Sequence, residues 1–119
     1  MRAALAVCIA LALAAPTLAA EAVPPGAEAA VAAVKGLAKS QKSVSVRKIK
    51  VSAAGDVCAL VSPSAGTDEL EFTWTKASGE VWLNEAPDEA YSEFGWGDAR
   101  LRRSTTRADY QAWKACQKG

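Results

Sequence analysis

The stretch DVCALVS, residues 56–62, is apolar at every position between its terminal Asp56 and Ser62. A half-buried strand alternates apolar and polar residues, so an unbroken run of this length suits a central strand covered on both faces. Gly55–Asp56 turns the chain into it, and Pro63 to Gly66 make a loop after it.

Cys58, within that strand, has Cys116 as its natural partner. In an exported chain an even pair of cysteines reads first as a disulfide. Closing the long loop between them would stabilise a small domain by about 4 kcal/mol in the chain-entropy picture. The alternative is a pair of free thiols, which CxxC spacing or a nearby histidine would favour, and the chain has neither. The helical period supports the bridge independently. In TTRADYQAWKACQKG, residues 105–119, Tyr110, Trp113 and Cys116 recur every three positions and share one helix face. That face must point inward if Cys116 is to reach Cys58. Thr106 followed three residues later by Asp109 resembles a capping box, with Asp in place of the usual Glu.

Upstream, SVSVRKIKVSA (43–53) reads as a strand that changes phase near Arg47–Lys48, since Val44 and Val46 fall on one face and Ile49 and Val51 on the other. Such a switch implies a bulge. Before it, AEAAVAAVKGLAKSQK reads as a helix over about 26–40, with Val31, Val34, Leu37 and Ala38 as a narrow apolar stripe. Glu28 near its start and the lysines near its end suit the helix dipole.

Downstream, ELEFTWTKA (69–77) alternates cleanly, with Leu70, Phe72 and Trp74 inward and Glu69, Glu71, Thr73 and Thr75 outward. ASGE makes a tight turn, and EVWLN returns as the hairpin partner. Trp82 then lies opposite Val81 and Leu83, which places a large aromatic on the solvent side. Residues 85–97 read as an acidic loop, and ARLRRS as a last short strand.

The first twenty residues read as a secretory signal peptide. Arg2 supplies the charged end, Ala3 to Ala15 the apolar region, Pro16 the break, and Thr17 and Ala19 the small residues before cleavage after Ala19 or Ala20. Cys8 would leave with it. Residues 21–25 are a proline-bearing linker and 26–119 one small domain. Membrane contact is expected only through the signal peptide.

This element order indicates an α+β domain: an N-terminal helix packed on an antiparallel sheet of about four strands, with a C-terminal helix tied to the sheet by the Cys58–Cys116 disulfide. The leading helix, basic strand and DVCALVS-type strand together resemble small exported bacterial proteins of unknown function. The layout is similar in outline to cystatin-like folds. The resemblance carries no functional residues across.

The full chain has a formal net charge of +1, and without Arg2 its charges balance. That argues against a nucleic-acid or anionic-membrane binder, which would have a basic excess. Charge is segregated along the chain, with residues 35–50 basic, 68–98 acidic and the segment from Arg100 basic again. With no histidine there is no Ser-His-Asp triad, no Cys-His pair and no histidine-ligated metal. No glycine-rich phosphate loop is present. No catalytic residue, metal ligand or cofactor is assigned.

Carboxylates remain. Glu85, Asp88, Glu89 and Glu93 cluster after the hairpin, and a glycoside hydrolase needs only two at the right separation. Asp88 and Glu89 with nearby carbonyls could also hold calcium, though the spacing is not that of an EF-hand. The other lead is aromatic. Trp82, Tyr91, Phe94 and Trp96 are not placed by periodicity, and tryptophan beside arginine anchors interfaces and stacks on sugars.

Two readings compete for these residues. Phe94 and Trp96 could plug the open end of the core, with Arg100, Arg102 and Arg103 neutralising the acidic loop. Alternatively Trp82, Trp96, Arg100 and Arg102 form a surface that contacts a protein or an envelope glycan. The expected function is a small exported, periplasmic, non-catalytic binding or interaction protein. The alternatives are a carboxylate-dependent hydrolase of envelope polymers or an inhibitor of a secreted hydrolase.

Overall fold

A computed structural model describes residues 22–64, 68–87, 92–95 and 98–119. The expected signal peptide, Trp96, and Asp88, Glu89 and Tyr91 of the acidic loop lie outside these residues. The described chain is α+β, running α1 (Glu28–Leu37), a 3-10 turn (Gln41–Ser43), β1 (Ser45–Val51), β2 (Val57–Ser62), β3 (Leu70–Trp74), β4 (Val81–Asn84), β5 (Leu101–Ser104) and α2 (Arg107–Lys118). Among the described residues no helix is long and apolar enough to cross a membrane.

The five strands form one sheet in the order β1-β2-β3-β4-β5. The first four make an antiparallel meander. The β1–β2 turn needs Gly55, whose φ is +91°, and the β3–β4 turn needs Gly79 at +74°, both in the left-handed region that side chains disfavour.

Two expectations about the sheet are corrected. It has five strands rather than about four, and the fifth pairs parallel to β4, with Val81 beside Leu101 and Trp82 beside Arg102. A parallel neighbour cannot be reached by a hairpin, so the chain crosses over between Asn84 and Leu101. Phe94 lies in this crossover, wholly buried and bridged to Ala38 just past α1. It plugs the core, as one of the two readings held. The N-terminal helix is also shorter than the alanine-rich pattern implied, because Ala38 has already turned to extended backbone.

β2 is buried nearly throughout, as its composition requires, because each face of the sheet has its own cover. On one face Val57, Ala59, Val61, Phe72, Val81 and Leu83 pack with Ala30, Val31, Val34 and Leu37 of α1. On the other, Cys58 and Trp82 pack with Trp113 of α2, flanked by Leu60, Tyr110 and Cys116. The Cys58–Cys116 disulfide is formed and ties α2 to β2.

The bulge in β1 falls where the phase change put it. Register with β2 breaks between Arg47 and Lys50, and Lys48 adopts a φ of 56°. Side chains of α2 meet the disturbed backbone. Gln117 Nε2 donates to the Lys48 carbonyl at 2.8 Å and to the Cys58 carbonyl at 3.3 Å, and Trp113 Nε1 donates to the Ala59 carbonyl at 2.9 Å.

Candidate functional site

Helix α2 crosses the second face of the sheet from β5 toward β1, and its two ends are fixed by different chemistry. At the C-terminal end are the disulfide and Gln117. At the N-terminal end is Asp109, a hub of hydrogen bonds. Its carboxylate accepts both terminal nitrogens of Arg102 at 2.9 and 2.8 Å, the Ser104 hydroxyl at 2.6 Å and the Thr106 hydroxyl at 2.6 Å. Thr106 in turn caps the helix by accepting from the Asp109 amide.

Arg102, above all, and then the two hydroxyls hold the Asp109 carboxyl far below the usual carboxylate range. Asp109 and, less strongly, Glu80 raise the Arg102 guanidinium above its already high value. Arg102 Nε reaches Glu80 at 3.1 Å.

The sequence-derived binding surface meets this network and dissolves into it. Trp82 faces away from Val81 and Leu83 as expected, but α2 covers that face and leaves Trp82 only 2 % exposed. Its placement on the solvent side is therefore corrected. The indole Nε1 donates to Ser104 Oγ at 2.8 Å, so Trp82 and Arg102 share one face and one network as structural partners.

Arg100 sits before β5 and pairs with Asp98 at 3.4 Å, which lowers the Asp98 carboxyl below its usual value. Arg103 points to the opposite face. There it forms a buried ion pair with Glu85 at 3.1 Å and donates to the Phe94 carbonyl at 3.0 Å. Arg100 thus pairs with the acid just before it and Arg103 with Glu85 at the start of the acidic loop, while Arg102 turns to Glu80 and Asp109.

Of the carboxylates read as a hydrolase pair, Glu85 is taken up by Arg103 and by the Ser92 hydroxyl at 2.9 Å. Glu93 is exposed. Among the described residues no three metal-ligating side chains gather.

Beside α2 the sheet is left partly open. A groove of about 490 Å³ lies between the Asp109, Ala112 and Ala115 side of the helix, residues 73–75 at the end of β3, and the turn residues Ser52 and Asp56. Arg102 closes one end, and Ala112, Ala115 and Cys116 contribute apolar wall. Its volume is in the range of small-molecule sites, roughly 300–1,000 Å³.

The groove's polar groups are only partly used by the fold. Ser52 Oγ accepts from the Asp56 amide at 3.1 Å, and Asp56 Oδ1 accepts from the Lys76 amide at 2.9 Å. Asp56 Oδ2 and the hydroxyls of Thr73 and Thr75 have no hydrogen-bond partner among the described residues. Each terminal nitrogen of Arg102 keeps one further N–H.

Sequence reasoning missed this site. The alternation that put Thr73 and Thr75 opposite Phe72 and Trp74 was right, and it was the only available signal. No family model, curated relative or solved structure matches this chain.

Proposed function

We propose that this chain is a small exported, non-catalytic binding protein whose working surface is the groove beside α2. One observation supports the reading most: the groove is of ligand size, and hydrogen-bonding groups of Asp56, Thr73, Thr75 and Arg102 that face it are not consumed by the fold. Export is supported by the form of residues 1–20 and by the disulfide, which persists in an oxidising compartment. A binding rather than catalytic role is favoured by the chemistry at hand. The chain has no histidine, and the Asp109 carboxylate is too firmly held as an anion to exchange protons near neutrality. The hydrolase reading has less beneath it, since Glu85 is neutralised by Arg103.

The test is a photo-crosslinking residue placed at Ala112, in the groove, or at exposed Ala32 on α1, in the native envelope. A specific adduct from position 112, absent from position 32, is expected. Equal labelling from both positions, or none from 112, would count against the groove as the working surface.

A further inference from the structure

We infer that the groove takes an uncharged, hydroxyl-rich carbohydrate, a short glycan segment; this rests on the groove being the binding surface. The unspent groups alternate in kind. Asp56 Oδ2 only accepts, the remaining Arg102 N–H groups only donate, and the Thr73 and Thr75 hydroxyls do both. Neighbouring hydroxyls on a sugar ring also donate and accept, so they match such a set, whereas a ligand that only accepts or only donates would leave part of it unmet. Ala112 and Ala115 supply apolar wall for the C–H faces of a ring.

Charge argues in the same direction. Asp56, Glu80 and Asp109 stand against Arg102 and against Lys76, whose side chain lies across the Gly55 turn. The balance is one negative charge, which repels an anion. A cation would find only the Asp56 carboxylate, because Asp109 is committed to Arg102, Ser104 and Thr106, and Glu80 to Arg102.

The experiment is calorimetry with amide-shift mapping on the disulfide-intact protein. Tetra-N-acetylchitotetraose, maltotetraose and cellotetraose are the neutral probes, polygalacturonate the anionic one and pentalysine the cationic one. At least one tetrasaccharide should shift the amides of Thr73, Thr75 and Ala112. Asp56→Asn should weaken it about tenfold, the loss of one charge-assisted hydrogen bond, with circular dichroism unchanged. Thr75→Val should weaken it in the same direction. Shifts at these amides from pentalysine or polygalacturonate but from no sugar would overturn the carbohydrate assignment while keeping the groove. Silence from all five probes would overturn the assignment as well. Sugar binding undiminished by Asp56→Asn, Thr75→Val and Ala112→Trp would overturn the groove itself.

Discussion

Asp109 joins three parts of the chain that are distant in sequence logic: a helix cap, the last strand and, through Ser104, the buried indole of Trp82. Replacing it with Asn keeps the shape but removes the charge that Arg102 answers. The Asp109→Asn protein should lose about 1–2 kcal/mol at pH 7, the scale of a helix cap with a charged partner. The pH dependence has a definite sign. Because the folded carboxyl is held below its unfolded value of about 3.9, its contribution is complete above that value and is lost as pH falls through the folded one. The stability gap between parent and variant should therefore be full at pH 7 and shrink below about pH 4. Urea unfolding at pH 7 and pH 3 reads it, and a gap that widens in acid would contradict the assignment.

At the scale of elements, β5 and its crossover depend on Arg103. Its guanidinium is buried on the α1 side, paired with the largely buried Glu85 and bonded to the Phe94 carbonyl, so one side chain ties β5 to the start and the middle of the crossover. Arg103→Met leaves the Glu85 carboxylate buried without its cation and should cost about 3–5 kcal/mol. Adding Glu85→Gln should recover part of that loss in the same denaturant titration.

These elements also mark where sequence pattern stops being informative. The bulge at Arg47–Lys48, the Thr106 cap, the burial of β2 on both faces and the Cys58–Cys116 pairing were all legible, because each follows from periodicity or from a local chemical requirement. The parallel pairing of β5 was not, since a four-residue strand whose only large apolar residue is Leu101 has no directional signal. Trp82 failed for a related reason. Alternation says which face a side chain takes, but only tertiary packing decides whether a helix covers that face. The groove was hidden by the same limit, because it exists only where α2 leaves Thr73 and Thr75 uncovered.

For the whole molecule, the sheet has two cores of unequal size. The α1 side is a broad aliphatic cluster with Phe72 and Phe94, whereas the α2 side rests on Trp82, Trp113 and the disulfide. The smaller core depends on its covalent tie, which spans 58 residues. The Cys58→Ala/Cys116→Ala protein should be destabilised by about 2–5 kcal/mol. Its tryptophan emission should shift to the red at lower denaturant than in the parent, since Trp82 and Trp113 are packed between α2 and the sheet. Adding a reductant to the parent should reproduce the shift. An unchanged unfolding midpoint in reductant would show that α2 needs no tie.

The two outer strands of the sheet bear on how copies of the molecule meet. β1 presents exposed Arg47, Lys48 and Lys50 along a bulged strand, and β5, at the opposite edge, is only four residues long and presents exposed Arg102. Extending the sheet from one molecule into the next would have to start from an edge too distorted, at β1, or too short, at β5, to form a regular ladder. Unpaired strand edges are the usual seeds of fibrils, and both edges of this sheet are protected against that route to aggregation.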